Sequence, residues 1–194
     1  MNSSSSKVSP QQEYNIMIDL ETLGVIPGCV ILSLAAVEFE LNTGKIGRYF
    51  YENISIESSL EENFKIEEES WRWWSEQDND VKKEIVTNPK PLKIVLEGLD
   101  RFLNDINPDR KSIRVWGNGS SFDLGILSFA YFQLRMKIPW MFWAERDLRT
   151  IVAFAPDIKK RTDFVGKRHH PLYDCLHQIK YCSKIYSLIS VAKE

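Results

Sequence analysis

The feature that most constrains this chain is an apolar run that ends in two acidic residues spaced two positions apart. Residues 16 to 22 read IMIDLET, which places Asp19 and Glu21 at the end of the run. In a β-strand alternate side chains point to the same face, so these two carboxylates share one side of a sheet. Carboxylates held that close repel each other, and a hard divalent cation such as Mg²⁺ or Mn²⁺ relieves the repulsion. The pattern favours a metal site about as much as an ordinary strand end.

The order of periodic segments along the chain predicts a mixed α/β fold. Alternating or buried apolar patterns predict strands at residues 15–20, 30–40, 47–53 and 113–116. Helical spacing predicts helices within residues 67–88, at residues 92–103, from Ser121 onward and from Pro171 onward. Three strands, helices, a strand and further helices together indicate a sheet with helices packed on it.

Composition narrows the class of protein further. A chain of 194 residues with 43% hydrophobic content can bury one sizeable core, so we expect a single domain over residues 13–194, after a Ser-rich disordered tail at residues 1–12. The net charge of -2 excludes a strongly basic nucleic-acid wrapper. Without a signal-like or membrane-spanning apolar stretch, we expect a soluble, cytoplasmic protein. Three cysteines without a C-x-x-C pair argue against a zinc knuckle or a disulfide framework.

Further polar side chains are predicted near the starts of two helices. Asp123 falls in the first turn of the helix after the fourth strand, where the helix dipole favours its ionised form, although a plain capping carboxylate is common there. His169 precedes Asp174 by five residues, across the loop that enters the last helix. A loop histidine with a pKa of about 6.5 can accept a proton from water at neutral pH. His170 and His177 compete for that role, and the position relative to Asp174 favours His169.

Three segments, in this order, resemble the motifs of the DEDDh (DnaQ-like) 3'-5' exonuclease superfamily. They are DLET at residues 19–22, WGNGSSFD at residues 116–123 and HHPLYD at residues 169–174. Two more segments, WWSEQ at 73–77 and WAERDLRT at 143–150, are most similar to the small phage and bacterial branch of that superfamily. The matches span about residues 14 to 190. One departure is Pro171, since the third motif usually has a small residue there; proline suits the first turn of a helix.

The resemblance implies a ribonuclease H-like fold, in which three antiparallel strands are followed by parallel strands and the sheet is flanked by helices. It implies that Asp19, Glu21, Asp123 and Asp174 bind two divalent cations, Mg²⁺ or Mn²⁺, and that His169 takes the proton from the attacking water. The implied reaction removes nucleoside 5'-monophosphates from the 3' end of single-stranded RNA or DNA. Zn²⁺ is disfavoured because oxygen ligands dominate. Relatives of this type are often homodimers, whereas the sequence itself does not fix the number of subunits.

Substrate contacts are predicted around the first motif and the tryptophan pair. Trp73 or Trp74 could stack on the terminal base, but neighbouring helical residues point about 100 degrees apart, so at most one stacks while the other enters the core. Burial of both is the alternative. Gln77, one turn further on, could hydrogen-bond the terminal sugar or base. By the resemblance, Leu23 and Gly24 line the floor beneath the terminal nucleotide.

Basic residues gather at two places that could meet phosphates. One group precedes the third motif and consists of Lys159, Lys160, Arg161, Lys167 and Arg168. This group could contact upstream phosphates, above all through Arg168. The alternative is an ordinary solvated loop. Arg146 and Arg149 lie in an aromatic stretch, where they could brace the site or order a subunit interface.

Two other classes of function compete with an exonuclease. A binding module could keep the fold without catalysis, but degenerate copies lose ligands first, and here all four acids and the histidine are present. A structural domain with a coincidental acidic cleft would need three ordered motifs to arise by chance. The sequence therefore predicts a metal-dependent 3'-5' exonuclease and leaves open the choice between RNA and DNA, which can rest on one contact to a 2'-hydroxyl.

Overall fold

The computed structural model describes residues 12 to 191, and this part of the chain forms five β-strands and eight α-helices. The strands are β1 Tyr14–Thr22, β2 Ile31–Phe39, β3 Ile46–Asn53, β4 Ile113–Gly117 and β5 Glu145–Asp147. The helices are α1 Ile56–Glu61, α2 Glu68–Ser75, α3 Asn79–Ile85, α4 Leu92–Ile106, α5 Ser120–Gln133, α6 Leu148–Phe154, α7 Pro156–Lys160 and α8 Pro171–Val191. Residues 1 to 11 of the predicted tail lie outside the described residues. Between residues 12 and 191, no helix combines the length and the apolar character that crossing a membrane requires.

The strands form one mixed sheet in the order β3-β2-β1-β4-β5. β1 is antiparallel to β2 and β2 is antiparallel to β3, whereas β4 runs parallel to β1 and β5 runs parallel to β4. This topology confirms the predicted fold class of three antiparallel strands followed by parallel strands. β1 occupies the middle of the sheet, which brings its acidic end next to the loop that leaves β4.

The two faces of β1 explain why its carboxylates lie beside the last helix. Ile16, Ile18 and Leu20 belong to the core cluster that includes α4 and α5. Met17 points the other way and belongs to the cluster built on α8. Because side chains alternate along a strand, Asp19 and Glu21 extend from the Met17 face toward α8.

The structure differs from the sequence prediction where elements are short. The predicted helical stretch before Pro89 is two helices, because Asp78 caps α3 by accepting a hydrogen bond from the backbone N–H of Asp80 at 2.8 Å. The elements α1, α6 and α7 were not predicted, nor was β5, whose sequence Glu-Arg-Asp carries no apolar alternation. Its pairing with β4 defines it as a strand.

Candidate active site

Three carboxylates from two elements converge beside the end of β1. Asp19 and Glu21 come from the strand, and Asp174 comes from the first turn of α8. One oxygen of each lies within 4.8 Å of an oxygen of the other two. The backbone N–H of His170 donates to Asp174 Oδ2 at 3.2 Å, which holds this side chain at the start of its helix. The distances allow a single cation to contact all three residues.

Asp123 reaches the same place from α5. Its Oδ1 accepts a hydrogen bond from the backbone N–H of Leu20, and its Oδ2 accepts one from the backbone N–H of Gly119, both at 3.4 Å. The side chain is buried with 3% exposure. These contacts tie the loop after β4 to the end of β1, so the fourth predicted acid lies against the other three.

The cluster is electrostatically costly without a counter-charge. Burial raises the pKa of Asp19 well above its usual range, and the charges of Asp123, Glu21 and Asp174 raise it further. Burial, with Asp174 and Asp123, raises the pKa of Glu21 to about 8. Burial raises the pKa of Asp123 to about 7 against the effect of its backbone donors, and it also raises the pKa of Asp174. Four buried acids with raised pKa values are typical of a site where a bound cation stabilises their ionised form.

Two amide side chains of this site were not predicted from the sequence. Gln178 donates from Nε2 to Asp19 Oδ1 at 2.7 Å, and the residue is 4% exposed. Its Oε1 and the Oδ1 of Asn118 are buried and have no hydrogen-bond partner among the described residues. Gln178 lies one helical turn after Asp174, so the spacing of the third motif could have revealed it.

A cleft of about 200 Å³ opens onto the acids, and we call it the acidic cleft. It is lined by Asp19, Leu20, Glu21, Asn118, Phe122, Asp123, Arg149, His169, Asp174 and Gln178. All four predicted metal ligands and the predicted base therefore border one space.

His169 is the histidine that faces the acidic cleft. Its side chain is exposed, and its ring lies edge to face with the ring of Trp73, with 4.8 Å between centroids. His170 is 3% exposed and its Nε2 lies 3.1 Å from Glu84 Oε1. His177 contacts the ring of Phe164 and does not line the acidic cleft. Of the three candidates, the geometry favours His169 as the group that meets water.

A second cleft, of about 410 Å³, adjoins the first, and we call it the stacking cleft. It shares Leu20, Glu21 and Phe122 with the acidic cleft and adds Thr22, Gly24, Val25, Glu69, Ser70, Trp73 and Trp74. Trp73 is 41% exposed, whereas Trp74 is 7% exposed and donates from Nε1 to the carbonyl of Thr22 at 2.9 Å. Trp73 is therefore the more exposed tryptophan of the stacking cleft, while Trp74 lies in the core.

The other predicted substrate residues lie in different places. Leu23 is 1% exposed and its backbone N–H and C=O pair with Val30 and Glu67, so it belongs to the core under the cleft and not to the cleft floor. Gln77 and Arg168 line a groove of about 330 Å³ on the other side of His169, which we call the flanking groove. There the side chain of Gln77 donates a hydrogen bond to the carbonyl of Trp73. Gln77 does not belong to the lining of the stacking cleft.

The side chain of Arg149 lines the acidic cleft, and the helix that carries it, α6, shares a capping residue with α5. Asp147 caps α6 by accepting from the N–H of Thr150, and its second oxygen accepts from the N–H of Ser120 at the start of α5, both at 2.8 Å. Arg149 follows in the first turn of α6, and a Cβ on Gly119 would come within 3.2 Å of its guanidinium carbon. From the sequence, Arg149 could either brace the site or order a subunit interface. Its position in the lining of the acidic cleft favours a role in the site.

Comparison with known proteins agrees with this geometry. A protein-family model described as the 3'-5' exoribonuclease Rv2179c-like domain matches residues 14–186. The chain belongs to the Rv2179c-like family. This membership, with the relatives below, makes the chain a 3'-5' exonuclease.

Relatives of the Rv2179c-like chain include a phage nuclease. The exodeoxyribonuclease of Enterobacteria phage T4 is 24% identical over 163 residues, which cover 71% of this chain and 70% of the phage protein. Among solved structures, cell-death related nuclease 4 (CRN-4) has a TM-score of 0.68 at 12% identity, covering 91% of this chain, which spans 64% of CRN-4. The nuclease domain of 3'hExo, a DEDDh family member bound to rAMP, has a TM-score of 0.63 at 13% identity and covers 94% of this chain and 95% of that domain. These structures share the fold.

Proposed function

We propose that this chain removes nucleoside 5'-monophosphates from the 3' ends of single-stranded nucleic acid by a two-metal-ion mechanism, within one domain over residues 13–194. Asp19, Glu21, Asp123 and Asp174 hold the cations, and His169 is the general base. The observation that carries the proposal is that these five side chains, far apart in sequence, border one cleft.

The donor set fits hard divalent cations. It consists of carboxylate oxygens whose raised pKa values reflect burial and, for Asp19 and Glu21, mutual repulsion, with two unpaired amide oxygens close by. Mg²⁺ and Mn²⁺ prefer such oxygen ligands, whereas thiolates that would favour Zn²⁺ do not line the acidic cleft. Bound there, divalent cations neutralise phosphate charge and make a water molecule more acidic.

The side chains around the cations have separable tasks. Gln178 fixes Asp19 Oδ1, and the backbone donors of Leu20 and Gly119 fix Asp123, so the ligands are in place before substrate arrives. A ring nitrogen of His169 accepts the proton of the attacking water. Arg149, at the rim, offers a guanidinium to phosphate oxygens that enter the cleft.

The stacking cleft suits the terminal nucleotide. Trp73 offers a flat face, and the shared wall of Glu21 and Phe122 brings the phosphate of a stacked nucleotide to the acids. Arg168 in the flanking groove suits an upstream phosphate. Because the family is described as exoribonuclease, we propose RNA as the first substrate, with DNA second because of the phage exodeoxyribonuclease relative.

The test is digestion of matched RNA and DNA oligonucleotides labelled at the 5' end, with Mg²⁺ or Mn²⁺ and with EDTA as the control. A ladder that shortens from the 3' end only when metal is present is the expected result. An intact but shifted band would mean a binding module and would overturn the proposal. A ladder that persists in EDTA would overturn the metal assignment alone.

A further inference from the structure

The loop that carries His169 holds that residue in an unusual backbone conformation. We define the His169 loop as residues 161–170, between α7 and α8. His169 has φ of 59°, in the left-handed region that residues with a Cβ avoid at a cost of about 1 to 2 kcal/mol. The side chain is also exposed, so burial does not hold it in place. Besides the ring contact with Trp73, contacts made by the neighbouring loop residues stabilise this conformation.

One carboxylate, that of Glu84 on α3, contacts the loop on both sides of His169. Its Oε2 lies 2.6 Å from Lys167 Nζ, and its Oε1 lies 3.1 Å from His170 Nε2. The hydrogen bond from Lys167 lowers the pKa of Glu84, which keeps the carboxylate ionised. The two contacts leave only Arg168 and His169 between the points that Glu84 holds.

The His170 side chain is fully engaged in this arrangement. Its Nδ1 accepts a hydrogen bond from the backbone N–H of Leu172 at 3.3 Å, so its Nε2 carries the proton and donates to Glu84. The ring packs against Tyr51 at 4.6 Å and against Tyr173 at 4.9 Å between centroids. His170 therefore acts as a fixed support next to His169.

Glu84 is itself attached to the sheet. Asn53, the last residue of β3, donates from Nδ2 to the carbonyls of Glu84 and Thr87, at 2.7 and 2.8 Å. Tyr51, two residues earlier on the same strand, donates from its hydroxyl to Asn53 Oδ1 at 2.7 Å. A continuous set of contacts thus runs from β3 through the end of α3 to the His169 loop.

We propose that Glu84 is a positioning residue that sets the geometry of His169 for proton transfer by holding Lys167 and His170. The proposal rests on the proposed function of His169 as general base. We call the two contacts of Glu84, with Lys167 and with His170, the clamp. Removing the clamp frees Arg168 and His169, so His169 spends less time where it can accept a proton from water. Misplacement of a catalytic group by about 1 Å can cost about 100-fold in rate.

The experiment compares Glu84→Ala and Glu84→Gln with the matched control Glu52→Ala. Glu52 forms a similar ion pair with Lys90 but does not contact the His169 loop. The side chains of Glu52 and Lys90 are 27% and 49% exposed, and those of Glu84 and Lys167 are 34% and 50% exposed. For Glu84→Ala we expect kcat to fall about 10- to 100-fold with KM for the oligonucleotide nearly unchanged. Mn²⁺ affinity, measured by calorimetry, should stay at the wild-type value in all three variants.

Glu84→Gln separates positioning from loss of structure. The amide oxygen still accepts one of the two hydrogen bonds, whereas the amide nitrogen is a donor and faces the donor of the other, so the variant keeps one arm of the clamp and its kcat should lie between those of wild type and Glu84→Ala. Lys167→Met, which also removes one arm of the clamp, should have a kcat close to that of Glu84→Gln and above that of Glu84→Ala. If Glu84→Ala and Glu52→Ala have the same kcat, the proposal is wrong.

Two further readouts report on His169 itself. In a His169→Ala background, Glu84→Ala should lower kcat no further, because the clamp acts only through the missing imidazole. The ring protons of His169 should show a ring-current shift from Trp73 in the nuclear magnetic resonance spectrum, lost in Glu84→Ala and kept in Glu52→Ala. An additive effect of the two substitutions, or an unchanged shift, would overturn the positioning role.

Failure of the clamp and failure of the proposed function look different. If wild-type protein with Mg²⁺ or Mn²⁺ leaves oligonucleotides intact, the function proposal falls and with it the role of Glu84. If wild type is active and His169→Ala is impaired while Glu84→Ala is not, the function proposal stands and only the clamp is wrong.

Discussion

The carboxylates and the histidine of the same site are supported in different ways. Asp19 lies on the central strand, and Gln178 donates a hydrogen bond to it. Asp123 and Asp174 lie in the first turns of helices, and backbone N–H groups donate to them. His169 is exposed on a loop, and side-chain contacts such as those of Glu84 hold its neighbours. The fold thus fixes the half of the site that we propose binds cations, while a few side chains position the half that we propose accepts a proton. Substitutions should affect the two halves by different amounts.

The largest effect is expected for Asp19→Ala. Turnover should fall to background because the proposed cation site loses one of its four carboxylates, while the protein still folds, since a repelled buried charge is removed. Asp19→Asn, which keeps an acceptor for Gln178, should be equally inactive. Rates on a labelled oligonucleotide and circular dichroism measure activity and folding.

The matched control for Asp19 is Asp157→Ala, which removes an exposed carboxylate paired with Lys160 on the surface. It should keep wild-type activity. Undiminished cleavage by Asp19→Ala would contradict the metal assignment and remove the contrast between the two halves of the site.

A smaller effect is expected for His169→Ala. Hydrolysis should fall by about 10² to 10⁴, the usual range for loss of a general base, while Mn²⁺ binding measured by calorimetry survives. His177→Gln, which changes a histidine outside the acidic cleft, is the control and should be close to wild type. Loss of Mn²⁺ binding in His169→Ala would show that the two halves of the site are not separable.

The tryptophan pair gives a third, smaller contrast. Trp73→Ala should raise KM about 10- to 100-fold, equivalent to about 1 to 3 kcal/mol of base stacking, with little change in stability. Trp74→Ala should instead lower the free energy of unfolding by about 3 to 5 kcal/mol because its side chain is buried. Steady-state kinetics and urea unfolding measure the two effects. Trp71→Ala, on the same helix but outside the stacking cleft, should leave KM unchanged, and an equal rise there would refute stacking by Trp73.

The last contrast concerns the pH dependence of stability and not catalysis. The pKa of Glu21 rises from its ordinary value of 4.5 to about 8 in the folded protein, so between these values the folded state binds more protons than the unfolded state. Stability of the metal-free protein should therefore fall as pH rises from about 5 to about 8. Urea unfolding in EDTA across this range measures the slope, and Glu21→Gln should flatten it. A slope that is the same in both proteins would contradict the electrostatic description of the cluster.

Much of the fold could be predicted from the sequence because its elements depend on local signals, and the resemblance of three motifs predicted that the four acids lie together. The apolar run that ends at Asp19 and the helix start at Pro171 define elements without reference to the rest of the chain. β5 could not be predicted, since pairing with β4 makes it a strand and its residues are polar.

The supports of the site were predicted less well than its ligands. Leu23 was expected to line the floor beneath the terminal nucleotide, and the structure places its side chain in the core under the stacking cleft. Glu84 carries no motif, and its role depends on α3 packing next to a loop that is 83 residues away along the chain. Contacts of that kind arise from tertiary packing and leave no periodic signal.

The shared cap at Asp147 has a mechanical consequence for the cleft. A single side chain bonds to the first turns of both α5 and α6, and these turns carry Asp123 and Arg149. The anionic and the cationic walls thus share one hydrogen-bonding residue at their base, so we expect a displacement of one helix to move the other. An enzyme that shortens its substrate one unit at a time needs the gap between those walls to be the same at every cycle, and we infer that Asp147 helps to keep it constant.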